Sequence, residues 1–167
     1  MDLDATDHSI LAVLQRDGRI TNAELATTVG LSQSAALRRT RSLEGAGIIE
    51  NYVALVDAAA LGRATTVFVE ISLSTQSESQ LDDFEAAIVE CPEVMSCHLM
   101  AGDSDYLLQV ACADVGDYER IHRDWLSKLP GVYRIRSSFA LRAVCRRTAF
   151  DLEPSTGKPA APNTTLQ

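Results

Sequence analysis

Residues 21–43 read Thr21-Asn22-Ala23-Glu24-Leu25-Ala26-Thr27-Thr28-Val29-Gly30-Leu31-Ser32-Gln33-Ser34-Ala35-Ala36-Leu37-Arg38-Arg39-Thr40-Arg41-Ser42-Leu43. The stretch holds two helices and the corner between them. Thr21 and Glu24 have capping-box spacing: the hydroxyl accepts an N–H three residues on, and the carboxylate reaches back to the cap. The first helix turns Leu25, Ala26 and Val29 inward and stops at Gly30, a residue that accepts the positive φ of a helix C-terminus. Ser32 caps a second helix that runs to about Gly47, with Ala36, Leu37, Thr40 and Leu43 expected on its buried side. Only Gly30 and Leu31 separate the two, which makes a tight helix-turn-helix corner. Upstream, Leu3, Ile10, Leu11 and Leu14 recur at helical spacing, and Asp17-Gly18 ends that segment. Residues 1–50 therefore read as a winged-type helix-turn-helix domain of three helices.

The outer side of the third helix carries Gln33, Ser34, Arg38, Arg39, Arg41 and Ser42. Ser34, Arg38 and Arg41 share one face by spacing, with Ser32 and Gln33 at the leading turn. A recognition helix enters the major groove with its N-terminal residues at base edges. Arginine pairs bidentately with guanine and glutamine with adenine, while further arginines hold phosphates. The expected contacts to double-stranded DNA are Ser32, Gln33, Ser34, Arg38, Arg39 and Arg41. A net charge of −8 does not oppose this, because DNA affinity follows where positive charge is concentrated more than its total.

The punctuation changes beyond residue 47. Residues 48–56, Ile-Ile-Glu-Asn-Tyr-Val-Ala-Leu-Val, alternate and are rich in β-branched side chains, so a strand is expected there. Residues 51–63 form a linker strand and turn. A domain over 64–152 follows, with strands at 64–73, 94–100, 106–113 and 132–144 and helices at 77–91 and 115–129. The order βαββαβ is the ferredoxin-like, split-βαβ layout, so the chain as a whole is α+β. Residues 153–167, holding Pro154, Pro159 and Pro162 among Ser, Thr and Ala, read as a disordered tail.

Several functions find no support in the residues. No apolar run nears the ~20 residues of a membrane span, and the acidic start Met1-Asp2-Leu3-Asp4 is unlike a signal peptide, so a cytoplasmic protein is expected. Cys91, Cys97, Cys112 and Cys145 form no Cys-x-x-Cys pair; three lie among apolar residues, where a thiol acts as a small hydrophobe. With His8, His98 and His122 scattered, no metal site, catalytic site or cofactor is expected. A small-molecule effector is another matter. The turn Gly102-Asp103-Ser104-Asp105 offers backbone N–H groups to a ligand carboxylate, and Asp103 or Asp105 offers acceptors to an α-ammonium. The same residues are also ordinary turn chemistry, and both readings stay open.

In combination these segments resemble the leucine-responsive and asparagine-synthetase regulator family, the Lrp/AsnC feast/famine transcription regulators. The likeness is carried by Leu3-Asp4-x-x-Asp7-x-x-Ile10-Leu11, Asp17-Gly18-Arg19, Glu24-Leu25-Ala26-x-x-Val29-Gly30-Leu31-Ser32 and Arg39-x-Arg41-x-Leu43-Glu44-x-x-Gly47-x-Ile49. It continues through Val67-Phe68-Val69-Glu70-Ile71, Cys97-His98-Leu99, Gly102-Asp103-x-Asp105-Tyr106-Leu107-Leu108 and Leu129-Pro130-Gly131-Val132, spanning residues 2 to about 145.

The resemblance implies a nucleoid-associated regulator that is not an enzyme. Its second domain would dimerise by packing sheets together, its dimers would join into octamers or similar assemblies, and an amino acid would bind between dimers. The effector residues it implies are Gly102, Asp103, Ser104 and Asp105 with Ser138, Phe139 and Ala140. The leucine-responsive type carries an aromatic where Ser138 stands and smaller aliphatics at Phe139, and Arg134 is an added charge. These departures imply an amino acid other than leucine, or an acidic ligand, while Arg134 suits a solvated or inter-subunit charge better than a ligand contact.

Two competing readings make different demands. A stand-alone sensor whose helical half docks protein needs exposed apolar residues beside Arg38, Arg39 and Arg41. A small enzyme using His98, Asp103 and Asp105 needs an activated nucleophile or cofactor motif, and the sequence holds none.

Overall fold

A computed structural model describes residues 2–152. Two compact units emerge, one from residues up to Ala54 together with those from Cys145 onward, the other from Leu55–Val144. The tail expected at 153–167 lies outside the described residues.

In the first unit, α1 (Ala5–Leu14), α2 (Asn22–Thr28) and α3 (Gln33–Gly45) surround buried Ile10, Leu11, Leu25 and Leu43. The expected residues start α2 and α3 and end α2. Thr21 and Glu24 form the capping box of α2, and the Ser32 hydroxyl accepts the Ala35 N–H at 3.2 Å. Past α2, Gly30 takes φ 69°, Leu31 N–H donates to Ala26 O at 2.8 Å, and Gly30 N–H donates to Thr27 O at 3.3 Å. That pair is the Schellman closure, which an L side chain at Gly30 would strain. Leu152, from the returning C-terminal segment, packs on the same core, and Gln15 clasps Phe150 through both its amide atoms.

In the second unit, β1 (Thr65–Leu73), β2 (Val94–Leu99), β3 (Tyr106–Cys112) and β4 (Val132–Phe139) form an antiparallel sheet in the order β2-β3-β1-β4. The helices α4 (Glu78–Ile88) and α5 (Val115–Asp124) cover one face. Alternation sends Val67, Val69 and Ile71 of β1, with Tyr106, Leu108 and Val110 of β3, into the core against Phe84, Ile88 and Ile121. The rings of Phe84 and Tyr106 stack at 4.3 Å. The opposite face, with Phe68 41% exposed, has no helix over it. This is the expected ferredoxin-like layout.

Three expectations need correction. No strand forms over 48–56: the stretch has no neighbouring strand to receive its backbone groups, and Val53, Leu55 and Val56 are exposed. The final strand stops at Phe139, short of 144, because Ala140 N–H already bonds Thr66 O and β1 begins one residue earlier. The helix expected over 115–129 breaks at Trp125 into a 3₁₀ turn, Leu126–Lys128, which brings both Leu126 and Leu129 into the core.

A buried carboxylate gathers two arginines at one end of the sheet. Glu93, 7% exposed, receives Arg120 Nη2 at 3.0 Å and lies 3.7 Å from Arg63. Burial alone would push its pKa up, but the hydrogen bond and charge of Arg120, with hydrogen bonds from its own backbone and from Cys91, together outweigh this and hold it below the ordinary glutamate value. A lowered folded pKa contributes stability above the unfolded pKa, near 4.3, and that stability is lost as pH falls through the folded value. Glu93→Gln is therefore expected to flatten the acid limb of the melting-temperature profile below about pH 5. An acid limb as steep as the wild type's would remove Glu93 from that role.

Candidate nucleic-acid interface and effector site

The surface of α3 divides by its neighbours. Gln33, Ser34, Arg38 and Arg41 are exposed, and neither Arg38 nor Arg41 enters an ion pair among the described residues. Asn22 Nδ2 donates to Gln33 O at 2.9 Å, which ties the start of α2 to the start of α3. The Ser32 hydroxyl is spent on its cap and on Ser34 Oγ, 3.2 Å away.

Arg39 differs from the other two arginines. Its Nη1 donates to Asp4 Oδ2 and to Asp7 Oδ1, both at 2.8 Å, and its side chain is only 29% exposed. The two aspartates hold its pKa up. The structure thus turns Arg39 toward α1, away from the face of Ser34. Leu37 shows the reverse: expected in the core, it is 39% exposed. The helical wheel held the signal for both. At 100° per residue, Arg39 falls within about 60° of Ala36 and Leu43, while Leu37 lies roughly 100–120° from them. Leu37 is the residue missed on the outer face, where an apolar side chain suits a thymine methyl.

The turn between β2 and β3 separates its residues in the same way. Gly102 and Asp103 are exposed and Ser104 is half-buried. Asp105 is buried: its Oδ2 accepts the Leu73 N–H at 2.6 Å, and its Oδ1 accepts Gln76 Nε2. Leu73 needs that acceptor because it lies beyond Ile71↔Tyr106, the last rung between β1 and β3, and its N–H faces that side. Gly102 has no positive φ, and nothing lies within 4 Å of where its Cβ would stand. On β4, Ser138 is exposed on the helix-free face, and the Phe139 ring meets Tyr118 edge-on at 5.3 Å. Ala140 is half-buried beside Thr66. These two groups of residues do not converge within one chain. The turn opens onto Ile71, which pairs with Tyr106, whereas Ala140 bonds Thr66, five residues back and roughly 17 Å along β1.

The enzyme reading loses its geometry here. His98 is exposed, Asp105 is consumed by backbone and amide donors, and among the described residues no group of three or more His, Cys, Asp and Glu is placed to hold a metal. Burial raises the thiol pKa of Cys91 and Cys112 and pushes that of Cys97 up to about 11, which leaves them as inert hydrophobes.

With this geometry in place, comparison with known proteins is informative. The sequence profile described as "Lrp/AsnC ligand binding domain" matches residues 66–150, and "Winged helix-turn-helix DNA-binding" matches residues 3–50. The chain belongs to the Lrp/AsnC family. It is 43% identical over 148 residues to the Bkd operon transcriptional regulator of Pseudomonas aeruginosa, covering 89% of this chain and 97% of that one. It is 41% identical over 143 residues to the leucine-responsive regulatory protein of Salmonella typhimurium, covering 86% and 87%. A transcriptional regulator of Neisseria meningitidis, solved as a complex with L-Met, superposes with a TM-score of 0.85 at 38% identity, covering 90% of this chain and 97% of that one. The chain is thus a DNA-binding transcription regulator of this Lrp/AsnC type, from a family of regulators and not of enzymes.

Asp105 serves the fold in this geometry. Asp105→Ala strands the Leu73 N–H without its acceptor, and ~1–3 kcal/mol of stability should be lost. Asp103→Ala, at an exposed position, should leave the melting temperature within a degree or two. Equal melting temperatures for the two variants would contradict this division.

Proposed function

We propose that this Lrp/AsnC regulator reads a specific DNA site through Gln33, Ser34, Arg38 and Arg41 and that its assembly responds to an amino acid. The observation that carries the DNA assignment is the pair of exposed arginines without ion-pair partners among the described residues, one helical turn apart on the face of Ser34. Exposed Leu37 gives the protein-docking alternative its one foothold. A thymine methyl accounts for it equally well, and the flanking arginines suit phosphate and guanine better than an apolar partner.

Self-association follows from the second unit. The helix-free face of the sheet carries half-exposed Phe68 with Leu107 and Ala111, a surface suited to a second copy packing sheet against sheet. The split effector residues support assembly beyond one chain. If the Gly102–Asp103 turn and the Ser138–Ala140 strand both touch ligand, neighbouring copies must supply one part each, as a site between dimers does. The open space at Gly102, without a conformational need for glycine, fits the close approach of a ligand or a second chain. Asp103 is the carboxylate left to meet an α-ammonium, and the L-Met complex of the Neisseria relative supports an amino acid as the ligand class.

Two measurements test these assignments. Arg38→Ala and Arg41→Ala should each weaken binding to an operator half-site pair by ~1–3 kcal/mol in a titration at fixed salt. Wild-type affinity in both folded variants would remove α3 from DNA reading. Asp103→Ala should bind the operator normally yet fail to change affinity or oligomer size when methionine, leucine and other amino acids are added. A response at the wild-type ligand concentration would place the pocket elsewhere.

A further inference from the structure

By charge alone, Arg38, Arg39 and Arg41 are interchangeable contacts for DNA. Their surroundings are not. The carboxylates of Asp4 and Asp7 close the capping box of α1: Asp7 N–H donates to Asp4 Oδ1 at 2.8 Å, and Asp4 N–H donates to Asp7 Oδ2 at 3.3 Å. That leaves one oxygen free on each, Asp4 Oδ2 and Asp7 Oδ1, and the single Nη1 of Arg39 donates to both. Two carboxylates joined in one helical turn repel each other, and Asp7 is buried, its side chain only 6% exposed. The guanidinium is therefore the charge that makes this helix start tenable. It comes from α3, more than thirty residues along the chain.

We infer that Arg39 is a positioning residue: it locks the DNA-reading helix to the first turn of α1 and so sets how Ser34, Arg38 and Arg41 are presented, without itself contacting DNA. Swinging Arg39 out to a phosphate would abandon two charge-assisted hydrogen bonds and leave Asp7 buried without its counter-charge. One exposed phosphate contact is a poor exchange. The inference rests on α3 being the helix that reads DNA.

The aspartates supply a test with opposite signs for the two roles. If Arg39 contacted phosphate, removing a nearby negative charge would release it and reduce repulsion, so binding would tighten. If Arg39 positions the helix, the same change loosens the lock and binding weakens. Asp4→Asn is the decisive variant, because asparagine caps a helix as well as aspartate and Asp4 is half-exposed, so the chain should fold. Asp7→Asn and Arg39→Gln accompany it, with Arg38→Gln as the control for a direct contact. Each full-length variant is titrated with specific and scrambled duplexes over a salt series, well below its melting temperature.

Expected for Asp4→Asn is about tenfold weaker specific binding, the scale of one charge-assisted hydrogen bond. Binding to scrambled duplex and the slope of log affinity against log salt should stay at wild-type values, so the specificity ratio falls. A purely structural role would not move that ratio in a folded protein. Arg39→Gln should behave alike, with Arg39→Lys restoring part of the loss, while Arg38→Gln should lower the salt slope by about one. Unchanged or tighter specific binding by Asp4→Asn overturns the inference, as does a drop in slope for Arg39→Gln matching that of Arg38→Gln. If Arg39→Gln does not fold, Asp4→Asn decides alone. An unmoved slope for Arg38→Gln would count against α3 as the reading helix, a failure separate from that of the lock.

Discussion

A backbone hydrogen bond needs a partner, and in the second unit β1 is the partner that determines where other strands stop. Its nine residues pair with β3 on one side and β4 on the other. Once Ala140 has bonded Thr66, no further rung exists for the Arg142–Val144 stretch, however strand-like its sequence. The same constraint removes a strand from 48–56, where alternation and β-branching are present but a neighbouring strand is not. At the other end of β1, Leu73 lies beyond its last rung with β3, Ile71↔Tyr106, and Asp105 supplies the acceptor that β3 no longer offers. Strand boundaries and the burial of an aspartate in a turn thus have one cause.

What was legible in the sequence was what is local. Thr21 with Glu24, Ser32, and Gly30 each act on backbone groups within five residues, and all three appear as their spacing implies. The four strands and two helices of the second unit likewise follow in the expected order. What escaped was set by partners far along the chain. Arg39 and Asp105 carry the same formal charges as their neighbours Arg38 and Asp103. Only contacts at sequence separations of about thirty residues distinguish a paired charge from one left to meet a ligand. Leu37 escaped for a different reason: its hydrophobicity argues for the core while its angle on the wheel points outward. The family resemblance pointed to regions of the chain and carried no information on which side chains in them are paired inward.

The two arrangements share a logic. At each site, a charged residue adjacent to the outward-facing one is turned inward and paired, so each site shows less charge to a ligand than its sequence suggests. On α3, the inward arginine is spent on the two aspartates at the start of α1, so its charge is matched there and not offered outward. In the β2–β3 turn, Asp105 anchors the loop that holds Asp103 out. A lone exposed carboxylate on an anchored turn loses less conformational freedom on meeting an ammonium than one on a loose loop.

This also bears on how a small ligand can influence a helix in the other unit. An effector shifts an equilibrium only through its different affinity for the two states. In one chain the turn and the β4 strand lie too far apart to grip an amino acid together. A ligand that touches both discriminates between assemblies in which a neighbour completes the site and those in which it does not. Its affinity difference is then the whole of one half-site, larger than any strain it could impose within a single sheet. Coupling through assembly requires no deformation of the core around Phe84 and Tyr106, and such close-packed interiors resist deformation. In the proposed assembly, the α3 helices of neighbouring copies need only be brought into, or taken out of, the spacing of two half-sites on one duplex.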